Sequence, residues 1–252
     1  MVAASWNLDE PAVPEGSVRV GVVFVRHGES EWNAQSRIQG HHGGGLTPTG
    51  RAQAQAAAEF LHRAYPVPSL VVSSDLRRSV ETAQAYLEQC AYAGTLRFDD
   101  QLREVDNGGW SGRFTAEVAA AEADYITRIR NGEDLSRGGG ESLANAQHRM
   151  CEFTDALTAE LATSTDPAGR WAIVFGHGGP IRLVALAALG LPSTAVRALG
   201  HASNTAITEI EYWVSPHDTP PTARLLEYNS AQHLALGLEG ASALHAKPAP
   251  VN

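Results

Sequence analysis

Val18-Arg-Val-Gly-Val-Val-Phe-Val25 runs directly into Arg26-His27-Gly28-Glu29-Ser30. The first eight residues are apolar and β-branched almost without a break. That suits a strand buried on both faces rather than one alternating between core and solvent. Such strands belong to sheets that helices cover on both sides. Polar residues just beyond one of them lie at its carboxyl end, where open α/β sheets gather their ligands. One segment thus predicts both a layered α/β fold and a place for an arginine and a histidine.

Working outward, three comparable runs are predicted as strands at 70–73, 171–175 and 206–213. Leu96-Arg-Phe98 is a short further candidate, and residues 223–227 are placed to pair with the strand before them. Helices are expected between these runs. Thr47-Pro48 opens an alanine-rich stretch to about Tyr65, with Thr47 as N-cap and Pro48 in the first turn. A second helix is expected over 76–89. Leu143, Met150, Phe153, Leu157 and Leu161 recur at helical spacing and mark one buried face. Pro180 is read as opening a helix that is apolar nearly all round to Leu189. Strands alternating with helices predict an α/β fold. The form expected is a three-layer α/β/α sandwich, with a mainly parallel, mixed central sheet and helices on both faces. Residues 113–140 break the rhythm with one amphipathic stretch and then Arg137-Gly-Gly-Gly, and are read as a small helical lid. The expected organisation is an arm at 1–17, a catalytic domain at 18–236 and a tail at 237–252.

Composition limits the function. The chain has 252 residues, 43% of them hydrophobic and 19% charged, with a net charge of −9. Wholesale disorder and fibrous classes are excluded. The acidic balance argues against nucleic acid or an anionic membrane as partner. Two cysteines, Cys90 and Cys151, make no disulfide framework and fit a reducing compartment. The longest apolar stretch, 183–191, is far shorter than the roughly 20 residues a bilayer requires, and the first residues lack the pattern of a secretory signal. A cytoplasmic protein is expected. A homodimer is considered only through the strand at 207–213, read as exposed.

Two histidines and up to three arginines reach one edge of this sheet from separate strands. Arg26 and His27 follow the first, Arg77 and Arg78 the second, and Gly176-His177-Gly178-Gly179 the fourth. Free N–H groups at a helix start favour an anion, and arginine forks match phosphate oxygens. His41 and His42 lie in a glycine-rich loop without further ligands at zinc spacing, so no metal site is assigned. Asp75 and Asp106 are given turn roles and Trp110 a packing role, while both cysteines are expected to be buried and inert.

At these residues the chain resembles the histidine phosphatase superfamily, which contains the cofactor-dependent phosphoglycerate mutases and their phosphatase relatives. The resemblance begins at Arg26-His27-Gly28-Glu29-Ser30-Glu31-Trp32-Asn33 and continues through Leu46-Thr-Pro-Thr-Gly50 and Ser74-Asp-Leu-Arg-Arg78. It extends through Leu102-Arg-Glu104, Gly140-Glu-Ser142 and Gly176-His177-Gly-Gly-Pro-Ile-Arg182, covering roughly 18–215. It implies that His27 takes the phosphoryl group, that Arg26, Arg78 and His177 neutralise its charge, and that Glu104 is the general acid and base. It also implies Asn33 as a phosphate contact, with Arg37, Gln39, Gly40 and Gly178 along the pocket wall. No metal or cofactor is required by that mechanism.

Three departures bear on the reaction. His41-His-Gly-Gly-Gly45 replaces the family's usual Asp-Pro before Leu-Thr. Thr115 stands at the mutase lysine position, and isolated Arg128, Arg130 and Arg137 replace the mutases' adjacent arginine pair. The Gly-Gly-Gly-Glu-Ser pattern at 138–142 resembles the phosphatase branch. The expected function is hydrolysis of a small phosphomonoester of the sugar or glycerate phosphate class. A mutase-type phosphotransfer and a catalytically idle phosphoester- or protein-binding relative are the alternatives.

Overall fold

The computed structural model describes residues 15–90, 92–165, 169–215 and 220–236. The proposed tail at 237–252 and most of the proposed arm lie outside these. Six strands form one sheet: β1 (Val18–Arg26), β2 (Leu70–Ser73), β3 (Arg97–Phe98), β4 (Trp171–Gly176), β5 (Ile207–Val214) and β6 (Thr222–Ser230). Their spatial order is β3-β2-β4-β1-β5-β6. The pairs among β1 to β4 are parallel, whereas β5 runs antiparallel to both β1 and β6.

The helices are α1 (Glu31–Ala34), α2 (Pro48–Ala64), α3 (Arg77–Gln89), α4 (Thr115–Ala121), α5 (Ala123–Arg130), α6 (Leu143–Ala162), α7 (Gly178–Ala188) and α8 (Gln232–Leu236). Val20, Val22 and Phe24 of β1 face Met150, Phe153, Leu157, Ile181 and Val184 of α6 and α7. Val23 and Val25 face Ala58, Leu61, Ala83 and Tyr86 of α2 and α3. Successive side chains on a strand point to opposite faces, so both faces of β1 are apolar because both are covered. The expected sandwich and its mixed sheet are thereby found.

Register does the positioning. Arg26 pairs with Gly176 and Ser73 with Phe175, so β1, β2 and β4 end at the same level. His27 N donates to Gly176 O at 3.0 Å, and Ser74 N to Phe175 O at 2.9 Å. The chain after β3 turns through a short 3-10 segment (Asp100–Leu102) to bring Glu104 to this edge. Thr47 caps α2, accepting from Gly50 N at 2.9 Å, and its hydroxyl donates to Glu29 Oε1 at 2.7 Å. Gly28 and Gly50 meet backbone to backbone: a Cβ on Gly28 would lie 2.4 Å from Gly50 O.

Several expectations are corrected. The last apolar helix starts at Gly178, with His177 as its N-cap and Pro180 inside its first turn. A proline is tolerated there because first-turn N–H groups have no helical partner. The insertion carries two short helices, α4 and α5, rather than one stretch. Strand β5 is not exposed: it lies between β1 and β6 and is buried along nearly its whole length. The strand at that edge is β6. Cys90 is buried just past the end of α3, but Cys151 on α6 is only half-buried. Helix α1 was not anticipated; a capping box between Ser30 and Asn33 forms it.

Candidate active site

His27 is buried at the carboxyl end of β1, with 1% exposure. Its Nδ1 lies 2.7 Å from Gly28 O. A carbonyl can only accept, so Nδ1 carries the proton and Nε2 keeps its lone pair. Arg78 Nε donates to that lone pair at 3.3 Å. Burial, reinforced by the Arg78 and Arg26 charges, holds the imidazole pKa well below its usual 6.5. The ring is neutral at pH 7 with its free nitrogen facing the site's cations. Asn204 Nδ2 donates to His27 O at 3.1 Å and secures the loop from the other side.

Arg78, in the first turn of α3, is 1% exposed. Its terminal nitrogens donate to Gly40 O at 2.8 Å and His42 O at 3.0 Å. Burial lowers its pKa to about 10; Glu104 opposes the shift and Arg26 adds to it, so the side chain stays cationic. Arg26 donates through one terminal nitrogen to Ala202 O. Among the described residues its Nε is buried without a partner, and burial lowers its pKa against the pull of Glu104.

His177 is fully buried, its ring centroid 5.2 Å from that of His27. Nε2 sits 2.9 Å from Ser74 Oγ, while Nδ1 is buried with no partner among the described residues. Burial and the Arg78 charge depress its pKa well below 6.5. Glu104 accepts from Val105 N at 2.9 Å and reaches Gly179 N at 3.5 Å. A Cβ on Gly179 would fall 2.3 Å from Glu104 Oε1, so a side chain there would displace the carboxylate.

The wall residues divide. Asn33 Oδ1 accepts from Ser30 N at 3.2 Å, Ser30 Oγ at 3.0 Å and Asn204 Nδ2 at 3.4 Å, which orients its amide. Gln39 accepts from Ser30 Oγ at 2.8 Å, and Gly40 enters through the carbonyl that holds Arg78. Gly178 lies against Arg26, a Cβ there meeting Nε at 3.2 Å. Arg37 stands apart. It donates to Gly112 O at 2.6 Å and lies 3.9 Å over the Phe114 ring.

Sequence reading assigned no site role to Ser74, Asn204 or Arg137. Ser74 follows β2 at the level where β1 and β4 also end, and strand register alone would have found it. Asn204 approaches from a loop whose placement no local pattern encodes, and Arg137, in a short 3-10 turn of the insertion, is near enough for the Glu104 charge to act on it. Asp75 pairs with Arg103, and Asp106 Oδ1 accepts from Gly108 N at 2.9 Å, so both acids serve turns as expected. Among the described residues no group of three His, Cys, Asp or Glu side chains is placed to hold a metal.

The cluster contains one imidazole with an available lone pair, a second imidazole, a buried and a partly buried guanidinium, and a carboxylate. Buried polar atoms are nearly always partnered, and the orphaned Arg26 Nε and His177 Nδ1 both belong to this cluster. An anion with several acceptor oxygens would satisfy both.

Comparison with known proteins agrees with this geometry. The glucosyl-3-phosphoglycerate phosphatase of Mycolicibacterium vanbaalenii is 35% identical over 191 residues, 75% of this chain and 83% of that protein. A probable phosphoglycerate mutase, GpmB, of Salmonella paratyphi C is 34% identical over 194 residues, 76% of this chain and 84% of that protein. The native structure of a mycobacterial glucosyl-3-phosphoglycerate phosphatase superposes with a TM-score of 0.74 at 32% identity, covering 84% of this chain and 99% of its own. Residues 22–216 match the model of branch 1 of the histidine phosphatase superfamily, and the chain belongs to that family.

Proposed function

We propose that this protein hydrolyses small phosphomonoesters through a covalent phosphohistidine on His27. The observation that carries the reading is the His27 ring: Nδ1 tied to Gly28 O, Nε2 unprotonated, and guanidinium groups around it. In the first step Nε2 attacks phosphorus and the bond to the ester oxygen breaks. Arg26, Arg78 and His177 stabilise charge on the phosphoryl oxygens, the preorganised electrostatic work that phosphoryl transfer chiefly needs. Asn33 and Gly178 add donors, and Gln39 and Gly40 hold the frame. Glu104 gives its proton to the leaving oxygen. In the second step its carboxylate takes a proton from water as the water oxygen attacks phosphorus. The N–P bond breaks, inorganic phosphate leaves and the lone pair on His27 is restored.

The catalytic domain of this reading is 18–236, with 113–140 as its lid. The substrate belongs to the sugar or glycerate phosphate class; the similarity to phosphatases named for a phosphoglycerate derivative supports it. The free cysteines Cys90 and Cys151 favour a cytoplasmic setting, the acidic balance disfavours nucleic acid as partner, and a homodimer paired through the sheet would use β6 rather than β5. Mutase-type phosphotransfer is the second reading, kept because of the GpmB similarity.

The test is phosphate release from a panel of small phosphomonoesters in excess EDTA, by wild type and His27→Ala together. Release that survives chelation and disappears in the variant is expected. Absence of release from every ester, or phosphate moved between positions of one acceptor instead, would overturn hydrolysis.

A further inference from the structure

The ladder between β5 and β6 is irregular beside the candidate active site. Glu209 of β5 pairs with Glu227 and Ile207 with Ser230, so two steps along β5 are matched by three along β6. The extra residue makes a bulge, a device that bends a strand and re-aims a side chain. Asn229 lies in it with φ at 57°. Its N–H donates to Thr208 Oγ1 at 3.4 Å. Asparagine is among the few residues other than glycine that adopt this conformation readily.

The Asn229 amide holds the chain that leads from α7 into β5. Its Oδ1 accepts from Ser203 N at 2.6 Å, and its Nδ2 donates to His201 O at 3.3 Å. An N–H only donates and a carbonyl only accepts, so both bonds require this one orientation of the amide. The neighbouring carbonyls are held in the same manner, Leu199 O by Arg182 and Gly200 O by the Tyr228 hydroxyl. Ala202 O accepts from a terminal nitrogen of Arg26.

Ala202 O and Ser203 N belong to one peptide group. That group is planar and trans, so its C=O and N–H point in opposite directions. Asn229 grips it on one side and Arg26 on the other. Among the described residues this is the only hydrogen bond of the Arg26 side chain, whose buried Nε has none. A guanidinium held by one acceptor turns with that acceptor, so the direction of Ala202 O decides where Arg26 presents its remaining donors. The bond from Ser203 N to Asn229 also polarises the peptide and makes its carbonyl a stronger acceptor. Asn204 continues the connection, donating through Nδ2 to His27 O at 3.1 Å and Asn33 Oδ1 at 3.4 Å.

We propose that Asn229 is a positioning residue for phosphoryl transfer, aiming the Arg26 guanidinium at the phosphoryl oxygens by fixing the Ala202–Ser203 peptide. Its own side-chain bonds go to the loop alone, so it acts through Arg26 and not on the substrate. Position 229 makes two separable demands. Glycine would meet the backbone requirement without supplying the amide, and alanine would meet neither. The inference rests on the phosphatase reading, because that reading assigns the phosphoryl oxygens to Arg26.

Asn229→Gly and Asn229→Ala test it. Binding of inorganic phosphate by calorimetry needs no turnover, and kcat/KM on a good ester is read beside it. Both variants are expected to lose about ten-fold in each quantity, the scale of one displaced charge-assisted donor. Their melting temperatures should differ, Asn229→Ala lying roughly 2–4 °C below Asn229→Gly, because only alanine is strained at positive φ. In an Arg26→Gln background Asn229→Gly should cost nothing further, since the group it aims is gone. Phosphate affinity and kcat/KM close to wild type in Asn229→Gly, or losses that track melting temperature across the two variants, would overturn the proposal. So would the same loss from Asn229→Gly in the Arg26→Gln background; if that background does not fold, the comparison of glycine with alanine decides alone. A wild type that neither binds phosphate nor cleaves an ester would instead sink the phosphatase reading, and this inference with it.

Discussion

Arg78 uses every face of its guanidinium. Nε points at the His27 lone pair, and the two terminal nitrogens hold the carbonyls of Gly40 and His42. One residue therefore fixes the loop on one side and meets the nucleophile on the other. A lysine keeps the charge but offers a single point donor on a flexible stem. Arg78→Lys is accordingly expected to lower kcat/KM on the order of 100-fold, the scale for loss of one preorganised donor to a developing oxyanion. Steady-state kinetics on a good substrate, with circular dichroism to check folding, measures it. Activity within a few-fold of wild type would mean that charge alone suffices. The identity of this residue was legible through its motif, since Arg77 and Arg78 are adjacent and only the family pattern separates them. The structure places the separation physically: Arg77 is at the surface, paired with Glu81, and Arg78 is buried.

Helix α6 contributes to the site without touching the proposed reacting atoms. Arg149 grips Glu141 with two bonds, Nε to Oε1 at 2.7 Å and a terminal nitrogen to Oε2 at 2.9 Å. It also donates to Gln101 O and, at 3.3 Å, to Glu104 O. The helix thus clamps the segment that bears Glu104. Arg149→Met would preserve much of the packing and remove the clamp. A stability loss of about 1–3 kcal/mol is expected for breaking one side of a partly buried ion pair. A roughly ten-fold fall in kcat should accompany it, because a small misplacement of a reacting group is costly. Urea midpoints and kinetics on the same preparation would show whether the two losses travel together; a kcat unchanged in a destabilised variant would detach α6 from the position of Glu104. None of this was legible beforehand. The buried face of α6 could be read from Leu143, Met150, Phe153, Leu157 and Leu161, since hydrophobic period is local information. Arg149 lies beside that face, and the carbonyls it seeks come from a loop far away in sequence. Strands behave alike: the apolar runs marked β1, β2 and β4, but only their register aligns Ser74 with His27 and His177.

Across the whole molecule, the cost of assembling this site is electrostatic. Buried imidazoles in a cationic pocket must stay neutral, and the consequence is a pH-dependent stability. His27 and His177 have pKa values well below 6.5, from burial first and neighbouring arginines second. Burial alone lowers His233, which stands 3.0 Å from Thr205 Oγ1, to about 4. In the unfolded chain all three titrate near 6.5, so below that pH the unfolded state binds more protons than the native state. Stability is then fully present above about pH 6.5 and is lost as pH falls towards the native values. Each imidazole contributes a slope approaching about 1.4 kcal/mol per pH unit once its unfolded form is charged. The carboxylates that are stabilised in the fold, Asp75 and Glu81 among them, have lowered values and lose their contribution only under more acidic conditions. The interval from pH 6.5 to 5 therefore isolates the histidines. Urea midpoints in phosphate-free buffer should drop steeply across it. His233→Gln, which leaves the pocket intact, should make the slope shallower, since one of the four imidazoles held low, His201 being the fourth, no longer titrates. A flat profile through this interval would mean that the native imidazoles titrate like those of the unfolded chain, and with it that burial and the arginines do not hold His27 neutral below pH 6.5.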